Sequence, residues 1–140
     1  MATINATVTI GSDITGGTTS ISKTMTMTKA GTNVGLDNTS GLSAKTVQTE
    51  TAFKLFGNAD ATTLKASKVY IRNTGSSSTD FFYIGYGEDL AAATVETIGR
   101  LYGGAWMLIP WDAVAATTHD IYAKSSTAET MTLEFMAFIE

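Results

Sequence analysis

The chain contains a single histidine, His119, and two aspartates, Asp112 and Asp120, lie close to it in the sequence. Because histidine titrates near neutral pH and binds metals, this group could act as a general base or as a metal site. A general base needs a partner that positions it, but adjacent residues on one strand point to opposite faces of a sheet. We therefore interpret His119 as a polar residue at the start of a strand and predict no catalytic site.

A second group that could do chemistry is the acidic pair Glu88 and Asp89, which follows the segment Gly85-Tyr86-Gly87. Carboxylate and loop carbonyl oxygens are the ligands that Ca²⁺ prefers, but the spacing of an EF-hand loop is absent. Neither this segment nor Gly103-Gly104 opens a helix after a strand, and the lysine of a phosphate-binding loop is missing. We interpret the acidic pair as a charged loop tip, and we predict no metal, no cofactor and no enzymatic activity.

The third candidate is an aromatic group in the second half of the chain, made of Tyr83, Tyr86, Tyr102, Trp106 and Trp111. Exposed rings on a β-sandwich can stack on sugars, which makes glycan binding one interpretation. Packing in a core or at a subunit interface is the other. Trp106 and Trp111 are five residues apart, so on one strand their side chains point to opposite faces. We expect one of them to face a partner subunit or a lid.

Composition limits the classes of protein that could position these residues. The chain has 140 residues, 44% of them hydrophobic and only 16% charged, and we expect one domain, residues 1–140. A net charge of −4, with scattered Lys and Arg, argues against nucleic acid as a partner. The absence of cysteine excludes disulfides. We see neither a signal peptide nor the roughly 20 apolar residues of a membrane helix, so we expect synthesis in the cytoplasm and no membrane partner.

Alternation of apolar and polar residues with period two predicts most of the strands. The clearest examples are residues 3–10 and 20–28, although Lys23 on the apolar side of the second indicates a face that is only partly covered. Residues 68–72, a turn at 73–78 and residues 81–86 predict an antiparallel hairpin. Further strands are predicted at residues 45–51, 98–102, 106–111, 119–124 and 130–139, while residues 30–44 are predicted to be a long exposed loop.

About eight short strands at this spacing predict an all-β protein with an antiparallel, jelly-roll-like β-sandwich. The N-terminal segment, residues 1–17, is predicted to be an extended docking arm or an edge strand. Pro110 near the end of its strand indicates an edge or terminal position. The last strand turns apolar on its second face at Met136 and Phe138, which indicates burial on both sides, within a sheet or against a neighbouring subunit.

The second half of the chain also carries a characteristic order of strands and turns. Its parts, in chain order, are Lys68-Val69-Tyr70-Ile71-Arg72-Asn73-Thr74-Gly75, Phe82-Tyr83-Ile84-Gly85, Gly104 before Leu108-Ile109-Pro110-Trp111, Ile121-Tyr122-Ala123-Lys124-Ser125-Ser126, and Leu133-Glu134-Phe135-Met136. Over residues 65–140 this pattern resembles capsid decoration (cement) proteins and other head- or fibre-associated jelly-roll proteins of tailed bacteriophages; residues 1–64 show no such match. The resemblance implies a trimeric, β-rich protein located on the icosahedral shell of a virion.

These observations leave three hypotheses open. The resemblance favours a virion structural protein, a capsid decoration protein that binds across neighbouring major capsid subunits and stabilises the shell as a homo-oligomer. The alternative is a carbohydrate-binding or receptor-binding module of a phage fibre or spike, and a tail or connector component is a weaker alternative. The residues predicted to contact partners are Ile4, Val8, Ile10, Trp106, Trp111, Met136 and Phe138.

Overall fold

A computed structural model of the protein describes residues 3–12, 19–28, 38–57, 66–87, 96–112 and 119–139. These residues form eleven β-strands and no α-helix. The strands are Thr3–Ser12 (β1), Thr19–Thr28 (β2), Asn38–Thr39 (β3), Ser43–Val47 (β4), Phe53–Phe56 (β5), Ala66–Asn73 (β6), Phe81–Tyr86 (β7), Glu96–Tyr102 (β8), Trp106–Asp112 (β9), Ile121–Ser125 (β10) and Met131–Ile139 (β11). Within these ranges, no helix is long and apolar enough to cross a membrane.

Strands β4 to β11 form a sandwich by folding up one long antiparallel ribbon. Four antiparallel pairs make up the ribbon: β4 with β11, β5 with β10, β6 with β9, and β7 with β8. When the ribbon folds over, two further antiparallel pairs form, β11 with β6 and β10 with β7. The first sheet has the order β4-β11-β6-β9, with the short β3 beside β4 on β11, and the second sheet has the order β5-β10-β7-β8. This is the jelly-roll arrangement, and it confirms the predicted fold class.

The connection between β6 and β7 differs from the predicted hairpin. Both segments are strands, but β6 pairs with β9 and β11, whereas β7 pairs with β8 and β10. The two strands therefore lie in different sheets, and residues 74–80 cross between them. The physical reason is that each strand has one apolar face, and two such faces are both buried when their sheets stack around a common core.

The core between the sheets contains the inward-facing residues of both. Its fully buried side chains include Val69, Ile71 and Leu133 from the first sheet, together with Phe82 and Ile84 from the second. On each of these strands the buried residues are two apart, as expected for a strand with one face in the core. The alternation that predicted the strands thus also predicts which face is buried.

The two tryptophans of β9 point to opposite faces, as their spacing predicts. Trp106 is 47% exposed on the outer face of the first sheet, whereas Trp111 is 1% exposed. The Trp111 ring lies 5.7 Å from that of Phe56, and its Nε1–H donates to the carbonyl of His119 at 2.8 Å. This burial corrects the prediction that Trp111 contacts a partner, because the whole side chain is enclosed by its own domain.

One short strand, β3, lies inside the segment that the sequence predicts to be a long exposed loop, residues 30–44, and β4 begins in its last two residues before continuing into the strand predicted at 45–51. Strands β3 and β4 pair with opposite ends of β11. Between them, Ser40 donates its backbone N–H to the carbonyl of Ala137 at 3.0 Å and accepts from the Ala137 N–H through Oγ at 2.8 Å. β3 and the start of β4 rest on main-chain hydrogen bonds and carry mostly polar side chains, so the apolar pattern did not indicate them. Residues 30–37 of the predicted loop lie outside the described residues.

The turns at one end of the sandwich are fixed by a buried asparagine. Asn73 donates from Nδ2 to the carbonyl of Leu101 and accepts from the N–H of Gly75, both at 3.0 Å. Nearby, the backbone of Ser77 approaches Gly103 so closely that a Cβ there would lie 2.5 Å from the Ser77 amide nitrogen. Because no real side chain tolerates that contact, this turn depends on glycine.

The first two strands form a hairpin outside the sandwich. β1 and β2 pair without a break from Thr3 opposite Thr28 to Ser12 opposite Thr19, and they make a two-stranded sheet of their own. The predicted arm is therefore one strand of a hairpin as far as Ser12, and residues 13–17 lie outside the described residues. Pro110 lies in β9, the last strand of the first sheet, where its missing N–H costs no sheet hydrogen bond to a further strand.

Candidate functional site

The β1–β2 hairpin has one polar and one apolar face, because directly opposite residues of an antiparallel pair share a face. On the polar face, hydroxyl groups bond across the strands: Thr7 with Thr24, and Thr26 with the side-chain oxygen of Asn5, both at 2.8 Å. The pairs on the other face are Ile4 with Met27, Ala6 with Met25, Val8 with Lys23, and Ile10 with Ile21. Apart from Lys23, this second face is apolar.

The base of the apolar face packs on the outer face of the first sheet. Met27, which is 1% exposed, forms a cluster with Phe138, and the half-buried residues around them are Ile4, Tyr70, Leu108 and Met136. Met136 and Phe138 lie on the outward side of β11, opposite the core residues Leu133 and Ala137. The burial on both sides that the sequence predicts for the end of this strand therefore comes from the chain's own hairpin.

The tip of the hairpin is left uncovered within the described part of the chain. Ile10 is 51% exposed, Ile21 46% and Met25 37%. Among the described strands, β1 and β2 pair only with each other, so the outer edge of each offers unpaired main-chain donors and acceptors. The position of Lys23 predicted that this face of the hairpin is only partly covered, and the exposed fractions confirm it. We refer to Ile10, Ile21 and Met25 as the apolar tip.

A groove of about 580 Å³ separates β1 from the first sheet. Trp106 lines it, and the Trp106 ring lies 6.4 Å from the ring of Tyr70. Polar groups line it as well: Asn5 from the hairpin, and Arg72, which forms an ion pair with Glu134 at 3.6 Å. Aromatic rings beside a few polar side chains are the usual lining of a site for a small polar ligand.

The structure brings most of the predicted contact residues together around the hairpin. Ile4, Val8, Trp106 and Phe138 all line the groove, and Met136 lies in the cluster at the base. Ile10 is at the apolar tip, farther from the sheet. Trp111 is the exception, since it lies in the core.

Two groove residues, Tyr70 and Arg72, are missing from the sequence prediction. Both follow an inward-facing residue of β6 by one position, after Val69 and Ile71 respectively. Period two therefore places them on the outer face, and this signal was present in the sequence. What the sequence did not show is that the hairpin folds back over that face and makes a groove of it.

The surroundings of His119 support a structural interpretation. Its Nδ1 lies 2.9 Å from the backbone oxygen of Asp112 and 3.9 Å from the Asp112 carboxylate. Asp120 is buried and instead accepts from Nζ of Lys54 at 3.1 Å, so the two neighbours face different partners. No cluster of three potential metal ligands occurs among the described residues, while Glu88 and Asp89 lie outside them.

One titratable side chain of the predicted aromatic group is perturbed by its surroundings. Tyr86, at the end of β7, packs against the core, and this burial raises the pKa of its phenol above the ordinary value of 10.0. Burial disfavours the phenolate, because the charged form loses its hydration. Tyr86 is therefore a core contact of the sandwich that stays protonated at neutral pH.

No protein family model and no curated protein matches the chain. Among solved structures, the chain is similar to the crystal structure of Yersinia pseudotuberculosis-derived mitogen (YPM), with 13% sequence identity and a TM-score of 0.43. That similarity covers 74% of this chain and 86% of the mitogen.

Proposed function

We propose that this chain is a structural protein of a tailed-bacteriophage virion, a capsid decoration protein that binds across neighbouring major capsid subunits and stabilises the shell. The observation that carries the proposal is the apolar tip of the hairpin. Two isoleucines about half exposed at the end of a projecting ribbon are costly in water and are expected where a protein partner covers them. The resemblance of residues 65–140 to phage head proteins favours the major capsid protein as that partner.

The hairpin suits adhesion for two physical reasons. Covering the exposed half of Ile10 and of Ile21 would contribute about 1 kcal/mol each, taking half the value for a fully buried side chain. The open edges of β1 and β2 could in addition pair with a strand of the shell protein, which adds main-chain hydrogen bonds. Each contact is modest, but a homo-oligomer, a trimer by resemblance, repeats it at every subunit and converts weak contacts into strong attachment.

The first experiment locates the protein. Quantitative mass spectrometry of purified particles from its source measures the copy number of this chain against the major shell protein. We expect a ratio near one to one for shell decoration. A small ratio would favour a tail or connector component, and complete absence from particles would contradict the virion proposal.

The second experiment tests the hairpin tip. Ile10→Asp puts a charge on the apolar tip, and Thr9→Asp puts the same charge on the polar face of the same strand. We expect Ile10→Asp to lose rebinding to particles stripped of the protein, while Thr9→Asp binds as the unmodified chain does and both keep the same melting temperature. Equal binding by the two variants, or equal loss, would contradict docking through the apolar tip.

A second candidate function, glycan or receptor binding by a fibre or spike module, is favoured by the groove. Trp106 offers a half-exposed ring beside Tyr70, with Arg72 able to hydrogen-bond to sugar hydroxyls. A glycan array probed with the protein and with Trp106→Ala tests this candidate. Binding of a neutral glycan that disappears in Trp106→Ala supports the candidate, and a flat profile removes it.

A further inference from the structure

The outer face of the second sheet carries a row of aromatic and cationic side chains. Tyr83 of β7 lies between Lys124 of β10 and Arg100 of β8, because it is the register partner of both. In the next row, Phe81 lies opposite Tyr102. These residues point away from the core, since the residues between them on β7 and β8, Phe82 and Leu101 among them, are buried.

The side chains of this face are ordered by contacts with one another. The guanidinium of Arg100 lies 4.9 Å from the ring centre of Phe81 and 5.4 Å from that of Tyr83. Phe81 in turn contacts Tyr83 edge-on at 4.8 Å and Tyr102 at 5.0 Å. Because the rings of Phe81 and Tyr83 stand at 80° to each other, the guanidinium contacts both as a cation over aromatic rings, and these contacts leave its positive charge available for an acidic partner.

The charges of this face are not neutralised by neighbouring carboxylates. Within the described residues, neither Arg100 nor Lys124 takes part in an ion pair, and Lys54 at the edge of the same sheet is engaged by Asp120. The whole chain carries a net charge of −4, so this face is a local exception to its acidic character. Tyr102 is 39% exposed and Arg100 is exposed, so both are accessible.

We propose that this face binds an acidic saccharide, a sugar chain that carries carboxylate groups. A sugar ring stacks on Tyr83 and on the Phe81–Tyr102 pair, and Arg100 binds a carboxylate through two parallel N–H bonds. Lys124 supplies a second positive charge on the other side of Tyr83, about 10 Å from Arg100 when measured as two strand spacings. The site lies on the opposite sheet from the hairpin and its groove, so it is independent of the capsid-binding proposal and of the Trp106 candidate.

The chemistry of the face favours a saccharide over single-stranded nucleic acid. Most of its rings are tyrosines, including Tyr122, the neighbour of Lys124, and their hydroxyl groups can bond to sugar hydroxyls. A nucleic acid carries a charge at every residue and is held by many cations, whereas this face offers two unpaired ones on an acidic protein. Carboxylates spaced along a sugar chain match this smaller number.

Isothermal titration calorimetry of the full chain tests the proposal with oligomers of galacturonate and of N-acetylneuraminate, and with a neutral galactose oligomer as the matched control. We expect one of the two carboxylated oligomers to bind and the neutral oligomer not to bind. Arg100→Gln should weaken that binding about tenfold or more, because it removes a charge-assisted hydrogen bond. Leu42→Ala, at an exposed residue that belongs to neither this face nor the groove, should leave it unchanged, and circular dichroism checks that both variants are folded.

Several outcomes would overturn the proposal. The first is no binding of either carboxylated oligomer, and the second is equal binding of the neutral one. Loss in Trp106→Ala with retention in Arg100→Gln would move the site to the groove. Tighter binding of a thymidine oligonucleotide than of both acidic oligomers would replace the saccharide with nucleic acid. None of these results depends on whether the protein binds capsids.

Discussion

The hairpin and the sandwich are both antiparallel β-structure, but they are stabilised in different ways. The hairpin joins residues close in sequence, and side-chain hydroxyl bonds cross its polar face, as between Thr7 and Thr24. Among the hairpin side chains that the structure describes, only that of Met27 is buried. In the sandwich, β4 meets β11 across 86 residues of sequence at the pair Thr46 and Thr132, and the core has many side chains with no exposure.

We infer from this difference that the sandwich provides most of the stability, whereas the exposed part of the hairpin is free to serve in recognition. A sheet that buries apolar side chains on a shared core gains most of its free energy there, whereas a two-stranded hairpin is marginal unless it packs on something. Residues of the apolar tip can therefore change with little effect on the fold, while those of the core cannot. The predictions below test that separation, beginning with the largest effect.

Phe82→Ala should give the largest loss of stability. Phe82 has no exposed surface and packs edge-on against Phe53 at 6.4 Å, so truncation leaves a cavity in the sandwich. We expect the free energy of unfolding to fall by about 3–5 kcal/mol. The matched hairpin variant, Ile21→Ala, should change it by less than about 0.5 kcal/mol, as for other exposed positions. Chemical denaturation of both variants measures the contrast, and similar losses in the two would break the separation.

Met27→Asp should detach the hairpin without unfolding the sandwich. The variant places a charge in the cluster beneath the hairpin, where Phe138 and Ile4 offer it no polar partner. We expect faster amide hydrogen exchange throughout β1 and β2, equivalent to a loss of about 2 kcal/mol in their protection, with β6 and β11 as protected as before. Thr26→Asp, on the polar face next to it, is the control. Uniform loss of protection across both regions would show that the two fold as one unit.

Gly103→Ala should destabilise the end of the sandwich through its backbone. The added Cβ would lie 2.5 Å from the Ser77 amide nitrogen, and backbone atoms cannot move aside as a flexible side chain does. We expect a loss of about 1–3 kcal/mol, the range for overpacking. Gly99→Ala is the matched control, because nothing lies within 4 Å of the added atom there. If thermal melting shifts equally in both variants, the contact with Ser77 is not the cause.

Alkaline pH should weaken the sandwich before it affects the hairpin, and this is the smallest effect. Burial raises the pKa of Tyr86 above the 10.0 of the unfolded chain, so the folded state holds this proton more tightly. The corresponding stability is fully present below pH 10.0 and is lost as the pH rises through the folded pKa. Chemical denaturation measured between about pH 9 and 11 should show a smaller decline in the free energy of unfolding for Tyr86→Phe than for the unmodified chain. An identical decline in the two proteins would exclude this contribution of Tyr86.

The sequence predicted the strands wherever apolar and polar residues alternate, as in β1, β2 and β11. It missed β3, whose residues are polar and pair through the main chain, it began β4 two residues late, and it assigned no strand to β5. It also joined β6 to β7 in one hairpin. It also placed Trp111 among the contact residues, although opposite orientations for Trp106 and Trp111 followed from their spacing. The errors share one cause, since pairing partners depend on contacts between distant residues that no local pattern contains.

The sequence by itself therefore determined the all-β class, the inward and outward faces of the strands whose residues alternate, and the separation of the two tryptophans. These follow from the geometry of an extended backbone, in which successive side chains point to opposite faces. Only the tertiary structure decided that β11 lies between β4 and β6, that the hairpin covers Phe138, and that the guanidinium of Arg100 lies over the rings of Phe81 and Tyr83. These features are contacts between residues that are far apart in the sequence. They depend on how the two apolar sheet faces pack together in the whole domain.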